Sequence, residues 1–331
     1  MKQILQTIAA VLQSGQSAML CTIVSRRGTT PRGVGTAMVV AENGAQTGTV
    51  GGGEVEYQAK QDALALLRAN TCALRSYAIH SGADQHCAAS NGEIGVLFRL
   101  FSGEDGLRFA ERALELLERE EGYLVCTVDH GTIGETEIVP ARSAKDDPAL
   151  RPYLAKAPLL TAEEPIRLIE PLFAPPRAII LGGGHVAKAL VPVLAQLGLR
   201  VWVVEDRDTL CDPSRFPLAE RVLSVVQDRI FDELELSERD AVISLVRGRG
   251  IDFSVLDGAL RTRAGYIGAI GSHAHARMMR DQLLSRGFSK EQIARVHSPV
   301  GLDIGAESPE EIAVSIAAEW IACRSGAKGA E

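Results

Sequence analysis

The residues best suited to chemistry form a glycine-rich turn between a strand and a helix. An apolar stretch at 178–181 predicts a strand, and it runs directly into Gly182-x-Gly184-x-x-Ala187. Gly182 permits the tight turn, Gly184 lets a pyrophosphate approach the backbone, and Ala187 lets the following helix pack against the strand. The helix N-terminus offers free N–H groups and a partial positive charge to phosphate. We therefore predict a dinucleotide-binding turn, with His185 packed near the nucleotide.

A second strand supplies the acidic side chain that such a site uses. The stretch RVWVVEDRD ends in Glu205 and Asp206, roughly 20 residues after Gly182, where an acid hydrogen-bonds the ribose hydroxyls of NAD. Arg207 follows, and an arginine there can accept the 2′-phosphate of NADP instead. The sequence predicts NAD(P) and leaves the choice between the two open. The structural alternative is a glycine-rich turn that holds no ligand.

The elements that must position these residues change in kind along the chain. Strands and helices alternate over 177–331, which is typical of a parallel sheet with helices on its faces. Residues 1–140 show an α+β pattern instead. Eight of the 14 prolines lie between Pro140 and Pro176, which predicts a linker at 141–176 with one edge strand at Ile166–Ile169. The predicted fold class is α/β, a C-terminal Rossmann-like parallel sheet with helices on both faces, preceded by a smaller α+β domain.

Composition excludes several classes of protein. The length of 331 residues allows two domains, and 46% apolar with 23% charged residues is typical of a globular chain. The net charge of −7 disfavours nucleic-acid binding. No apolar run is long enough to span a membrane. The six cysteines contain no C-x-x-C pair, which favours reduced thiols and a cytoplasmic location.

Several segments outside the linker resemble one known family. They are GTTPRGVG (28–35), GTVGGGEVE (48–56), GGGHVA (182–187), YIGAIGS (266–272) and PVGLDIGAESPEEIAVSIAAEWIA (299–322). With these segments the chain resembles the XdhC/CoxI family of xanthine dehydrogenase accessory proteins. The resemblance implies that molybdenum cofactor (molybdopterin) is bound as cargo and passed to the apo-enzyme of a xanthine dehydrogenase-type molybdenum hydroxylase. It also implies docking of a cysteine desulfurase that supplies the terminal sulfur.

Two of these segments suit an anionic ligand in the first domain. Gly51, Gly52 and Gly53 open an amphipathic helix, where bare N–H groups can meet a phosphate or a pterin. Arg32 can offer a planar fork to a carboxylate, phosphate or molybdate oxygen, and Glu56 can pair with the N–H groups of a pterin. The alternative is a plain turn, a surface ion pair at Arg32 and a solvent-facing Glu56.

The sequence departs from the family pattern before the linker and after the strand at 241–246. The Cys-Gly-Gly turn of the family is replaced by QHCAASNGEIG, which keeps Cys87; a small half-buried residue is favoured there over a thiol ligand. The family's Thr-His-x-His is replaced by VRGRG, with Arg247 and Arg249 at the histidine positions. Arginine holds phosphate but neither binds a metal nor transfers a proton.

A third departure follows the strand that ends before Gly271. Basic residues follow Gly-Ser in the family, whereas Ser272 is followed here by His273 and His275. Because loops after parallel strands share one edge of the sheet, one hypothesis is that arginine and histidine have exchanged places across a pocket. The alternative is a pair of solvent-facing histidines in the first turn of a helix. Asp303 either caps a turn or reaches the pocket.

The favoured interpretation is a non-catalytic maturation factor, with no catalytic residue and no metal ligand assigned. The alternatives are an NAD(P)-dependent oxidoreductase and an NAD-sensing regulatory protein. Against the first of these, no Tyr-x-x-x-Lys or Ser/His/Asp arrangement accompanies the glycine turn, and a fold does not by itself give a function. The sequence leaves open whether the chain forms a homodimer.

Overall fold

The computed structural model of this chain describes residues 1–79, 92–119, 121–129, 132–154, 158–161, 164–226, 229–232, 234–246 and 251–325. The chain divides into two compact units, Met1–Ala174 and Pro175–Glu331. Among the described residues, no helix combines the length and the apolar character needed to cross a lipid bilayer.

The first unit combines antiparallel sheets with flanking helices. The helices are α1 (Lys2–Gln13), α2 (Gly53–Ala69), α3 (Gly103–Arg119) and α4 (Ala141–Asp146). The strands are β1 (Ala18–Arg27), β2 (Ala37–Ala41), β3 (Gln46–Gly48), β4 (Ala73–Ile79), β5 (Gly92–Phe101), β6 (Gly122–Asp129), β7 (Thr132–Pro140), β8 (Leu159–Leu160) and β9 (Arg167–Leu172). One sheet has the order β3-β2-β1-β5-β4 and the other the order β7-β6-β9-β8.

The central strand β1 is buried on both faces because helices cover each side of its sheet. Met19, Cys21 and Ile23 lie in a core with residues of α2. Ala18 and Leu20 lie in a second core with residues of α1 and α3. Since successive side chains of a strand point to opposite faces, this packing explains why the sequence shows a continuous apolar run there.

The proline-rich segment differs from the linker that the sequence suggests. Residues 141–174 belong to the first unit, and β9 lies between β6 and β8 rather than at an edge. Pro171 is tolerated within β9 because β8 pairs only with Leu168 and Ile169, so no β8 neighbour needs an N–H at residue 171. With this segment included, the first unit is the longer of the two.

The second unit is a parallel sheet with helices on both faces, as the sequence predicts. Its strands are β10 (Arg177–Leu181), β11 (Arg200–Val204), β12 (Arg221–Leu223), β13 (Ala241–Ser244), β14 (Tyr266–Ala269) and β15 (Val296–His297). Its helices are α5 (His185–Gln196), α6 (Ile251–Arg261), α7 (His273–Ser285), α8 (Lys290–Ile293) and α9 (Pro309–Ser325). Ile179 and Leu181 pack towards α6 and α7, whereas Ala178 and Ile180 pack towards α5 and α9.

The strand order places the glycine turn at a change of direction in the sheet. The order is β12-β11-β10-β13-β14-β15, so the chain moves from β10 to one side for β11 and later to the other side for β13. Ligands of open α/β sheets bind outside the carboxyl ends of the strands at such a switch point. The loops that follow β10, β13 and β14 therefore border the edge where a ligand is expected.

Candidate functional site

The turn after β10 has the geometry that glycine permits. Gly182 has φ of +102°, and a Cβ on it would lie 3.3 Å from the backbone nitrogen of Val246. Gly184 is the N-cap of α5, without a side-chain cap, and a Cβ on it would meet no atom within 4 Å. Ala187 is fully buried, and His185 is exposed. The start of α5 thus presents bare backbone beneath open space, which suits an anionic ligand.

The side chain of Glu205 is buried, and its carboxylate accepts hydrogen bonds from neighbouring residues of the same chain. Its carboxylate accepts hydrogen bonds from the Gly183 N–H at 2.7 Å and from Nε and Nη2 of Arg207 at 2.8 and 2.7 Å. The backbone N–H groups of Asp206 and Arg207 donate to it at 3.1 Å. A carboxylate has about four acceptor sites, so a ribose hydroxyl could bind Glu205 only by displacing Arg207. Asp206, the second acid that the spacing suggests, is exposed.

Hydrogen bonding keeps Glu205 ionised in spite of its position. Burial alone would raise the pKa of its carboxyl, but hydrogen bonds from Arg207 and from the Gly183 N–H outweigh burial and lower the pKa to about 2. Arg207, whose side chain is 61% exposed, neutralises the carboxylate. The Glu205–Arg207 pair therefore acts as a clamp, in which Glu205 holds the glycine turn through the Gly183 N–H. The guanidinium of Arg207 remains largely exposed.

We expect the unfolding free energy of the second unit to depend less on acidic pH in the Glu205→Gln variant than in the wild type. Because the folded-state pKa lies below the ordinary value, the carboxylate stabilises the fold above an ordinary pKa of 4.5, and this stabilisation disappears as the pH falls towards about 2. At neutral pH the variant should lose about 1.5–3 kcal/mol of unfolding free energy. Urea unfolding at several pH values, followed by tryptophan fluorescence, measures both effects, since Trp202 and Trp320 both lie in this unit.

The matched control for this prediction is Glu220→Gln. Glu220 pairs with Arg200 at 2.6 Å on the surface, where an ion pair is worth about 0–1 kcal/mol. Equal acid dependence in the wild type and in Glu205→Gln would contradict the prediction.

Arg215 completes the surroundings of the turn and is absent from the sequence-based candidates. Its Nη2 donates to the Gly183 carbonyl at 3.2 Å, and its Nε is buried without a hydrogen-bond partner among the described residues. Arg215 follows the acid-ending strand within a short 3-10 turn, and no motif spacing connects it with the glycines. Only the folded chain brings this second guanidinium beside Gly183.

The loop after β14 contributes a capped helix. Ser272 is the N-cap of α7, and its Oγ accepts from the backbone N–H of His275 at 3.2 Å. His273 is exposed and His275 is half-buried, with its Cδ2 2.9 Å from where a Cβ on Gly271 would lie. Ser272 therefore has a structural function as a helix cap.

Among the remaining candidates of the second unit, only Asp303 lies within the described residues. Asp303 is exposed in the loop between β15 and α9. Arg247 and Arg249, like Cys87 of the first unit, lie outside the described residues. The hypothesis of an arginine–histidine exchange therefore stays a prediction.

In the first unit, the glycine turn before α2 and the segment 28–35 lie side by side. Gly51, Gly52 and Gly53 have φ of +139°, +77° and +61°. Residues other than glycine rarely adopt such backbone conformations. A Cβ on Gly51 would lie 3.0 Å from Cγ of Pro31. The exposed Arg32 follows Pro31 directly, so the structure brings these sequence-based candidates together.

Glu56 holds this turn in place. Its Oε2 accepts from the Val50 and Gly52 N–H groups at 3.0 and 3.1 Å and from the Thr49 hydroxyl, and its Oε1 accepts from Gln46 at 3.0 Å. Burial would raise the pKa of Glu56, but the bonds from Thr49, Val50, Gln46 and Gly52 lower it. The carboxylate thus fixes the glycine turn, and both of its oxygens already accept hydrogen bonds from the chain instead of from a pterin.

Further cations accompany Arg32. Arg26 and Arg27, at the exposed end of β1, directly precede the segment that carries Arg32. The N-cap of α2, Gly52, has no side-chain cap. An uncapped helix N-terminus beside the segment that carries the exposed Arg32 suits a phosphate or another oxyanion. Arg26 and Arg27 are missing from the sequence-based candidates, because a strand pattern gives no reason to single out its polar end.

Two family models match the chain. The XdhC Rossmann domain matches residues 178–320, and the XdhC and CoxI family matches residues 11–78. The segments that carry both glycine turns lie within these matches.

Full-length relatives share both units. A protein of Bacillus subtilis (strain 168) named as a probable xanthine dehydrogenase subunit is 28% identical over 329 residues, covering 95% of this chain and 96% of the relative. "Molybdenum cofactor insertion chaperone PaoD" of Escherichia coli (strain K12) is 25% identical over 334 residues, covering 98% and 88%. A crystal structure described as a xanthine dehydrogenase from Bacillus halodurans superposes with a TM-score of 0.78 at 21% identity, covering 98% of this chain and 96% of that one. This last likeness shows the fold alone.

Proposed function

Because the chain belongs to the XdhC and CoxI family, we propose that it is an accessory protein that binds molybdenum cofactor and delivers it to a molybdenum enzyme. The observation that carries the proposal is the glycine turn at Gly51–Gly53, which opens α2 without a side-chain cap and lies against the segment of Arg32. A turn of this kind can bind the phosphate of a pterin cofactor through backbone N–H groups. The relative named as a molybdenum cofactor insertion chaperone supports the cargo.

The finer parts of the proposal follow from this cargo. The recipient is the apo-enzyme of a xanthine dehydrogenase-type molybdenum hydroxylase, which the name of the Bacillus subtilis relative supports. A cysteine desulfurase is proposed as a second partner that supplies the terminal sulfur while the cofactor is held. Both partners would be met in the cytoplasm, where cofactor handover is binding and release rather than catalysis.

The alternative, an NAD(P)-dependent oxidoreductase or an NAD-sensing regulator, has less support. The acid expected to bind the ribose, Glu205, is already bound by Arg207 and by the Gly183 N–H. A nucleotide that bound as NAD does in related turns would have to break this clamp. The open space above Gly184 still admits an anion. Beside Arg207, a phosphate group would be favoured over a free ribose.

Protein produced in a host with intact molybdenum cofactor synthesis tests the proposal. We expect purified wild-type protein, denatured under oxidising conditions, to release a fluorescent pterin in stoichiometric amounts. Arg32→Ala should weaken cofactor binding about tenfold or more, because charge-assisted hydrogen bonds are worth about 1.5–3 kcal/mol. Titration of the apo-protein with intact, unoxidised cofactor measures the affinity.

A control variant comes from the other end of the same helix. Arg68 lies in the last turn of α2 and is exposed, so Arg68→Ala removes one positive charge far from the glycine turn and should leave affinity unchanged. Absence of pterin from the wild type, even with cofactor in excess, would contradict the cargo. Equal affinities of the Arg32 and Arg68 variants would contradict the site.

A further inference from the structure

A cluster of reactive side chains lies at the β15 edge of the sheet of the second unit and shares no residue with either glycine turn. Sγ of Cys323, in the last turn of α9, is 3.6 Å from Nε2 of His297 on the edge strand β15. Nδ1 of the same imidazole is 3.7 Å from Oε1 of Glu319, one turn earlier on α9. The sequence gives no reason to connect these residues, because His297 is 26 positions away from Cys323.

The imidazole of His297 is held on two sides. The ring of Tyr266 stacks on it with centroids 4.9 Å apart and an interplanar angle of 22°. Glu319 is fixed in turn, because its Oε2 accepts from the Tyr266 hydroxyl at 2.6 Å and from the Gly301 N–H at 3.0 Å. The ring is therefore oriented by the buried Tyr266 and by Glu319, which is itself held by hydrogen bonds.

An ionised carboxylate and a neutral thiol lie on opposite sides of the imidazole. Burial would raise the pKa of Glu319, but the nearby His297 imidazole and hydrogen bonds from Tyr266 and Gly301 lower it, so the carboxylate stays ionised. Burial, followed by the charge of Glu319, raises the pKa of Tyr266. Partial burial and the same charge also raise the pKa of Cys323. At neutral pH the thiol thus keeps its proton until a base removes it.

A thiol, a base and a group that orients the base are the parts of an activated nucleophile. We propose that Cys323 is a nucleophilic thiol that undergoes exchange with disulfides, with His297 as its base and Glu319 as the positioning residue. Imidazole accepts a proton near neutral pH, and Nε2 is the nitrogen that faces the sulfur. The side chain is accessible, since Cys323 is exposed.

The exchange step balances without any further reagent. His297 Nε2 takes the proton of the Cys323 thiol as Sγ attacks one sulfur of a disulfide R–S–S–R. A bond forms between Sγ and that sulfur, the S–S bond of the disulfide breaks, and the leaving thiolate receives the proton from the imidazolium. The products are a mixed disulfide at Cys323 and one free thiol R–SH.

The other described cysteines are less accessible than Cys323. Cys21 and Cys126 are buried in the first unit, and burial raises the pKa of both thiols. The pKa of Cys211 is raised by burial and by Glu205 and Asp208, and its thiol is half-buried. Reaction at Cys323 can be followed separately from these by peptide mapping.

The test uses glutathione disulfide as the probe on the full-length protein, with the rate of modification at Cys323 measured by mass spectrometry. We expect His297→Gln to slow this rate about tenfold or more at neutral pH, since general base catalysis contributes about 10²–10⁴-fold where it is fully used. At alkaline pH, where the thiol loses its proton unaided, the two rates should converge. A merely structural loss would expose Cys323 further and speed its modification instead.

A matched thiol provides the control. Ser325→Cys in a Cys323→Ser background places an exposed thiol two residues further along the end of α9, and its rate of modification should not fall when His297→Gln is added. Unmodified Cys323 in the wild type would overturn the proposal. So would equal rates at neutral pH for the wild type and His297→Gln.

Discussion

Replacing Glu170 by leucine is expected to lower the free energy of unfolding of the first unit by about 3–5 kcal/mol, the cost of leaving a buried charge without its partner. Glu170 on β9 and Arg99 on β5 are 0% and 2% exposed, with Oε2 of the acid 2.5 Å from Nη2 of the base. Nη2 also donates to the Thr22 hydroxyl at 3.2 Å. Since β5 and β9 belong to different sheets, this ion pair joins the two sheets of the unit.

A double-mutant cycle separates the contribution of the ion pair to stability from the contribution of side-chain shape. Arg99→Met alone should cost a similar amount, whereas Arg99→Met combined with Glu170→Leu should recover most of the loss, because an apolar pair avoids the burial of charge. The surroundings of the pair favour this recovery, since Nε and Nη1 of Arg99 have no hydrogen-bond partner among the described residues. Losses that simply add in the double variant would contradict the prediction.

Far-UV circular dichroism during urea unfolding measures this cycle. Trp202 and Trp320, the two tryptophans of the chain, both lie in the second unit. Tryptophan fluorescence therefore reports on the second unit, whereas far-UV circular dichroism reports on both units.

Replacing Gly301 by alanine is the second change with a large expected effect. Gly301 has φ of +99°, and a Cβ on it would lie 2.3 Å from Oγ of Ser315 and 3.2 Å from the backbone nitrogen of Ile316. Its N–H also donates to Glu319. Backbone strain and the clash with α9 together should remove about 2–5 kcal/mol of unfolding free energy from the second unit.

Gly305→Ala is the control within the same loop. Gly305 has φ of +73°, but a Cβ on it would meet no atom within 4 Å, so only the strain of the left-handed conformation remains, about 1–2 kcal/mol. Tryptophan fluorescence reports on both variants. Equal losses at the two positions would show that α9 does not constrain the loop as the structure indicates.

The sequence is sufficient to predict the architecture of the second unit. Alternating strands and helices require a parallel sheet covered on both faces, and the glycine turn at Gly182 is confirmed as the connection between β10 and α5. The family resemblance, based on contiguous segments, is confirmed by the matches over 178–320 and 11–78. Turn chemistry and hydrophobic period are local properties, so they can be identified without knowing the fold.

The direction of each acidic side chain could not be predicted in this way. Spacing marks Glu205 as a group that faces ligand, but the folded chain bends Arg207 back onto it. In the same manner Glu56, four residues after Gly52, turns to hold the loop instead of pointing outward. A motif gives the position of a carboxylate along the chain, whereas its hydrogen-bond partners depend on the conformation of neighbouring residues.

Contacts between residues that are far apart in the sequence could be identified only from the tertiary structure. The sequence determined the parallel sheet, its glycine turn and the family, because each depends on patterns within short stretches of chain. It did not determine that 141–174 completes a sheet, that Arg99 meets Glu170, or that His297 lies beside Cys323. These pairs are set by how strands and helices pack, and packing joins residues that no spacing in the sequence connects.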